Sequence, residues 1–325
     1  MSYVGWNLSR LGNSIHISIP PDAEGYTGRE CPQQDCEGYF KVKFGTGLKG
    51  ADLPCHCPYC GHVDPQDRFW TKEQLEYAKS VALGKVVDAL RKDLKSLEFD
   101  IKPKGPFGIG MSMRVQPGRP IQIRHYREKA LETKVTCESC TLEYAVYGVF
   151  AFCPDCGRHN SQQILVKNLD LAIKELELAD QLTDDDLKRS LVEDALENCV
   201  SSFDAFGREA CRIKAETTPS PDRAAKVSFQ NLFKANEHLR TFFTVDLSSE
   251  MEPASWKRLN VQYQRRHLLA HRAGVIDEEY VKETNESASL VGRRITVSRD
   301  EVSWVADRLK ELGKALSSLL KLDAA

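Results

Sequence analysis

The chain has almost no charge excess: 45 Lys and Arg stand against 47 Asp and Glu, for a net charge of -2 over 325 residues. That excludes a protein that holds nucleic acid by bulk charge. Long apolar runs are also missing. The longest, residues 144–153, is about half of the roughly 20 residues that a membrane-spanning helix needs. The opening Met1-Ser-Tyr-Val-Gly-Trp-Asn-Leu-Ser-Arg10 has no basic head followed by an apolar segment, so no secretory leader is expected there. With 41% hydrophobic and 28% charged residues the composition is that of a folded chain and not a disordered one. Together these absences predict a cytoplasmic protein with no membrane partner.

Gly and Pro become scarce beyond residue 160. Before that point the chain carries short alternating runs, Ser14-Ile-His-Ile-Ser-Ile19 and Pro120-Ile-Gln-Ile-Arg124, that read as strands. A helix is expected over residues 72–97, where Leu75, Ala78, Val81, Ala82, Val86 and Leu90 share a face. After residue 160 apolar residues recur every three or four positions. One set is Leu169, Ile173 and Leu176; another is Leu187, Leu191, Leu196, Val200 and Phe203. Further sets are Phe229, Leu232, Phe233 and Leu239, then Trp256, Leu259, Tyr263 and Leu268, then Val302, Leu309 and Leu316. Asp184 to Asp186 precede the second set, Pro253 suits the first turn of the fourth and Gly274 suits its end. The length suits about two domains.

Cysteine is plentiful and uneven: nine of eleven fall in the first half. In a reducing compartment paired cysteines bind metal more often than they form disulfides. Cys31 and Cys36 precede Cys55-His-Cys57-Pro-Tyr-Cys60-Gly61; Cys137-Glu-Ser-Cys140 precedes Cys153-Pro-Asp-Cys156-Gly157. A Cys-x-x-Cys turn delivers two thiolates from one tight loop, and two such turns complete a tetrahedral zinc site. The expected ligands are Cys31, Cys36, Cys57 and Cys60 for one Zn2+, and Cys137, Cys140, Cys153 and Cys156 for a second. Cys55, His56 and His62 are open substitutes in the first. Residues 144–152 read as the hairpin joining the halves of the second ribbon. Four protein ligands leave no open position, so both sites would be structural. A redox dithiol is disfavoured because neither turn lies in a βαβ pattern. Cys199 and Cys211 fall on helical stretches and read as buried thiols.

The charge balance is a cancellation. Residues 101–135 carry Lys102, Lys104, Arg114, Arg119, Arg124, Arg127, Lys129 and Lys134 against Glu128 and Glu132. This is either a phosphate-binding surface or a solvated face. Gly105-Pro-Phe-Gly108-Ile-Gly110 has no following Gly-Lys-Ser/Thr, which excludes a phosphate loop. Residues 253–274 carry Lys257, Arg258, Arg265, Arg266 and Arg272 and no acid; residues 175–204 carry ten acids against Lys188 and Arg189.

The fourth helical set ends Gln264-Arg265-Arg266-His267-Leu-Leu-Ala-His271-Arg-Ala-Gly274. His267 and His271 have the spacing of a helical zinc-hydrolase motif, but Leu268 stands where its Glu belongs. RNA cleavage offers a better use for these residue types. It needs a base for the 2′-OH, an acid for the leaving 5′-oxygen and a cation for the phosphorane. Histidine and arginine supply these. His271 near a helix C-terminus suits the acid. A histidine that only caps a helix, beside arginines paired with acids, has the same sequence. On a regular helix Arg266 and His271 lie roughly 140° apart. Their convergence needs an irregular helix end, a long reach by Arg266, or a second copy across a two-fold interface.

The segment Arg266-His267-Leu268-Leu269-Ala270-His271 resembles the signature of the HEPN superfamily (higher eukaryotes and prokaryotes nucleotide-binding), an Arg, a polar residue, three residues and a His. Arg272 to Asp277, Tyr280 and the upstream Ala195-Leu-Glu-Asn-Cys-Val-Ser-Ser-Phe-Asp-Ala-Phe206 add to the likeness, which covers about residues 163–325. The resemblance implies a dimeric, metal-independent endoribonuclease of the toxin or antiviral-defence kind. Arg266 and His271 would be the catalytic pair, with His267 as the polar companion and help from Glu197 or Asp204. The nucleotidylated toxin variant carries Tyr two residues after the His; Ala273 stands there in this chain. Some members bind without cleaving.

The expected fold is α+β. A first zinc ribbon with strands occupies residues 1–70, a helical connector 71–100, a basic β segment with the second ribbon 101–160, and an all-α HEPN-like bundle 161–325. The expected function is RNA cleavage by a homodimer formed through that bundle, with ribbons that recognise RNA, DNA or a protein trigger. The alternative is a non-catalytic binding module in which the bundle only dimerises.

Overall fold

A computed structural model describes residues 5–47, 54–102, 111–116, 118, 122–124, 128–131 and 133–322. Of the basic stretch 101–135, Lys104, Arg119 and Arg127 lie outside the described residues. The architecture is α+β, with N-terminal strands and a C-terminal helical region. Contacts divide the chain into Met1–Thr136 with Cys140–Tyr147, and Cys137–Ser139 with Gly148–Ala325. No helix among the described residues is long and apolar enough to cross a membrane.

The first unit begins with α1 (Trp6–Ser9), β1 (Tyr26–Glu30), β2 (Tyr39–Lys43), β3 (Cys55–His56) and β4 (Val63–Asp64). It continues through α2 (Lys72–Lys95), β5 (Phe99–Ile101), β6 (Met111–Met113), β7 (Thr133–Thr136) and β8 (Glu143–Val146). An antiparallel sheet runs β1-β2-β8-β7, with Lys41 opposite Ala145 and Val135 opposite Tyr144. Phe40, Tyr144 and Val146 on this sheet are fully buried, and the Phe40 ring meets that of Phe69, fully buried in the turn before α2, edge to face at 5.9 Å. Helix α2 starts at Lys72, as the apolar spacing predicts, and there Thr71 and Gln74 form a reciprocal capping box. The Gln74 amide also donates to the Gly28 carbonyl, fastening α2 to β1.

Of the strand expected over 120–124, residues 120 and 121 lie outside the described residues and 122–124 are not a strand; two further strand expectations need correction. Residues 14–19 alternate between half-buried and exposed, yet pair with no strand among the described residues; instead the His16 carbonyl accepts from Lys85 on α2. Residues 144–152 are not a hairpin. Only β8 is extended, and its partners are β7, just upstream, and β2. The hairpin therefore folds around Cys137 and Cys140 instead of linking them to Cys153.

The helical unit comprises α3 (Ser161–Asp180), α4 (Asp185–Lys214), α5 (Pro221–Ala224), α6 (Leu232–Phe243), α7 (Pro253–Arg272), α8 (Glu278–Thr284) and α9 (Arg299–Leu319). Asp184 caps α4 by accepting from the backbone of Asp186 and Leu187, and Pro253 opens α7. Helices α3, α4 and α9 share a core that includes Leu169, Leu196, Phe203, Val305, Leu309 and Leu316. Cys199 and Cys211 are fully buried in it, and burial pushes both thiols up to about 12.

His159, buried in this unit, takes the Ser161 N–H on Nδ1 at 3.2 Å, so the proton sits on Nε2, 3.3 Å from Glu209 Oε1 on α4. Arg212 forks onto the same carboxylate with two bonds of 2.7 Å. Burial raises the Glu209 carboxyl, but the bonds from Arg212 and His159 outweigh it and hold it at about 2. A depressed carboxyl stabilises the fold above its ordinary value of 4.5, and that stability is lost as the pH falls toward 2. Glu209→Gln is therefore expected to cost about 3 kcal/mol at neutral pH. Urea denaturation should show the gap between wild type and variant closing between pH 4.5 and 2.

Candidate functional site

Two sets of thiols come together by the same local device. Cys31 and Cys36 sit between β1 and β2, and Cys57 and Cys60 between β3 and β4. Cys137 and Cys140 sit between β7 and β8, and Cys153 and Cys156 between the bridged residues Phe152 and His159. In the Cys57 turn the Cys57 N–H donates to the His62 carbonyl at 2.8 Å and the Gly61 N–H to the Cys57 carbonyl at 3.0 Å. The Cys153 turn repeats these bonds at 2.8 and 3.0 Å with Arg158 and Gly157. Gly61 and Gly157 have φ of 72° and 69°, the left-handed conformation for which glycine carries no Cβ penalty. Glu37 and Thr141 take that role in the other two turns, at 42° and 65°.

Within each set of four the sulfurs lie within 4.8 Å of one another, and the pairs Cys31–Cys60, Cys36–Cys57 and Cys137–Cys156 stand 3.7 Å apart. A tetrahedral ion with bonds of about 2.3 Å to sulfur requires sulfurs about 3.8 Å apart. Each set can therefore hold one metal ion. Burial pushes the thiols of Cys31 and Cys57 up, Cys31 to about 12, while a hydrogen bond with Cys137, together with burial, raises Cys153. Such thiols give up protons when a cation replaces them. Cys55, His56 and His62 stand outside the first set. Cys55 is buried opposite Asp64, and the His62 ring meets Gln33 at 3.1 Å and Asp64 at 3.3 Å.

The helical unit holds a groove of about 630 Å³ between the start of α6, one face of α7, and α8 with its leading loop. Arg266, His267 and His271 all line it, with Tyr263 and Gln264 one turn earlier. Helix α7 is α-helical as far as Arg272, so no irregularity brings Arg266 round to the histidines. All three side chains nonetheless line one groove within a single copy of the chain. The rings of His267 and His271 are 4.7 Å apart and inclined at 58°. The helix ends on Ala273 in the left-handed conformation, φ 50°, and the N–H groups of Ala273 and Gly274 both reach the Leu268 carbonyl.

Two polar atoms on this face are buried without a hydrogen-bond partner among the described residues: Arg266 Nε and Tyr263 Oη. Burial pushes the Tyr263 phenol well above its ordinary value, the Asp204 carboxylate adds to that and Arg266 opposes it. The phenol is thus a neutral donor at physiological pH. The other arginines of α7 are engaged. Arg265 pairs with Glu301 at 2.6 Å and reaches the Tyr280 hydroxyl, Arg272 meets Asp277 at 3.4 Å, and Arg258 lies over the Trp304 ring at 4.2 Å. None of these partners comes from the acidic stretch 175–204.

Asp204 on α4 shapes the opposite wall. Its carboxylate accepts from Phe229 N at 2.5 Å, Gln230 Nε2 at 2.8 Å, Ser228 Oγ at 3.2 Å and Arg208 Nε at 2.8 Å. Those bonds fix the loop that leads into α6, whose start is capped by Asn231 accepting from the Lys234 N–H. Asp204 therefore positions the groove. Glu197 is not among the residues lining it. Sequence reasoning missed Tyr263 as a site residue, because a tyrosine on an apolar helix face reads as core. It also missed the contributions of residues 230–234 and 277–283.

No protein family, curated protein or solved structure matches this chain.

Metal analysis of the purified protein should find two ions per chain. Cys36→Ser and Cys140→Ser should each leave one ion, and Cys55→Ser should leave two. One ion lost in Cys55→Ser would contradict the ligand set.

Proposed function

We propose that the α7 groove is the active site of an endoribonuclease that uses no catalytic metal. The observation that carries this reading is the meeting of Arg266, His267 and His271 in one groove, with Arg266 Nε and Tyr263 Oη buried and unpartnered beside them. One imidazole, assigned to His267, takes the proton from the 2′-OH as that oxygen attacks the adjacent phosphorus. His271, at the negative end of α7, gives a proton to the departing 5′-oxygen. Arg266 holds the charge that builds on the phosphorane, and the Tyr263 hydroxyl is a second donor to it. The products are a 2′,3′-cyclic phosphate and a free 5′-hydroxyl.

In this reading the helical unit is a HEPN-like bundle that dimerises, and the thiol sets are zinc ribbons. Zinc suits four thiolates at this spacing, and four thiolates leave it no coordination position for chemistry. The ribbons then serve recognition, of the RNA or of a protein or nucleic-acid trigger, in a cytoplasmic toxin or defence effector.

The test is cleavage of a mixed RNA pool in the presence of a chelator of free metal, with and without extract from infected cells. Wild type should yield ends carrying cyclic phosphate. His271→Ala should slow cleavage by roughly 10²- to 10⁴-fold and Arg266→Ala by about 10²- to 10³-fold, with unchanged thermal unfolding. RNA left intact by wild type under every condition overturns the nuclease reading, and RNA bound but uncut favours a binding module.

A further inference from the structure

The groove continues past its histidines. A second cavity of about 360 Å³ shares Asn231, Lys234, Asn260, Gln264 and Glu283 with it and runs on between α6 and α7. Phe233, on the first turn of α6, lines this cavity and is 59% exposed, although its neighbours Leu232 and Ala235 are fully buried. The apolar spacing of α6 placed Phe233 with the core; the structure leaves its ring outside. The amides around it are partly committed in complementary ways. Asn260 donates through Nδ2 to the Trp256 carbonyl, leaving its Oδ1 as an acceptor. Asn231 accepts through Oδ1 from Lys234, leaving its NH2 as a donor. Lys257 stands at the same cavity.

We propose that this cavity is a nucleobase subsite for single-stranded RNA. A base next to the cleaved phosphodiester stacks on Phe233, the Asn231 and Asn260 amides meet its donor and acceptor edge, and Lys257 meets its phosphate. An exposed aromatic face beside polar amides and a lysine is the combination that single-stranded nucleic acid requires, because unpaired bases offer both a π-face and a free edge. A paired base cannot enter, so the subsite selects against duplex. This rests on the reading of the groove as a ribonuclease site and gives that site a substrate class.

The probe is a fluorescein-labelled ten-nucleotide RNA, 2′-O-methylated throughout so that it has no nucleophile, titrated with the full-length metal-loaded protein. Phe233→Ala and Phe233→Leu should each weaken binding by roughly 5- to 100-fold. Phe233→Trp should bind at least as well as wild type. The duplex of the same sequence should bind weakly and without dependence on residue 233. Single-strand affinity within twofold of wild type in both Phe233→Ala and Phe233→Leu overturns the proposal. So does a wild type that does not bind the probe at micromolar concentration, and so would a protein partner for Phe233, which leaves RNA affinity unchanged by its loss. The two readings fail separately. Cleavage with a KM indifferent to Phe233→Ala removes the subsite alone, whereas Phe233-dependent binding without cleavage removes the nuclease and keeps the subsite.

Discussion

The carboxylate of Asp204 ties the core of the helical unit to its groove. It is 7% exposed and takes four donors, three of them from residues 228–230. Residues 230–234 form one wall of the groove, with α7 and α8 as the others, so the distance from that wall to α7 follows from where the loop is pinned. Just beyond Asp204 on α4, Gly207 lets the Phe229 ring come so close that an added Cβ would stand 2.5 Å from it. A side chain at 207 and a missing acceptor at 204 would move the same loop. Each buried donor left without its acceptor costs about 1–3 kcal/mol, so the loop has no cheap alternative position.

A second anchor works in the same unit. His159 follows the Cys153 turn by three residues, and its imidazole reaches Glu209 five residues beyond Asp204 on α4. Phe152 meets the His159 ring edge-on at 4.7 Å. Helix α4 thereby fixes the groove loop through one acid and the chain after the Cys153 turn through another. Both acids are burdened by desolvation, and for both the hydrogen-bond donors around them make burial tolerable.

How much of this the sequence discloses depends on how local the cause is. The Cys57 and Cys153 turns were legible because the Cys-x-x-Cys-Gly spacing, the positive-φ glycine and the backbone bonds all lie within about six residues. Helix starts at Asp184 and Pro253 were legible for the same reason. The pairing of β8 was not, since an apolar run from Tyr144 to Val146 reads alike as one strand or as half of a hairpin, and β2 is a hundred residues away. The motif on α7 was visible as residues, but its convergence was not. A helical wheel separates Arg266 from His271, so the spacing alone does not show that both line one groove. Phe233 deceived because periodicity counts an aromatic as buried wherever the spacing allows. Its real position depends on how α6 is rotated, which the pinned loop before it decides.

The near-neutral charge that marks the whole chain also marks the groove, and it bears on how a substrate would be held. Asp277, Glu279 and Glu283 line the same space as Lys234 and Arg266. Such a surface cannot gather a long polyanion by field alone, because its acids repel phosphates at the same range as its cations attract them. It can hold one phosphate where a permanent cation is buried and close and an adjacent acid is engaged elsewhere. Arg266 fits that description: its Nε is buried, while Asp277 is turned to cap α8 and to meet Arg272. Affinity beyond that single phosphate must then come from uncharged contacts. Stacking on an exposed ring and hydrogen bonds from amides are the kinds of contact that a groove of this charge leaves available.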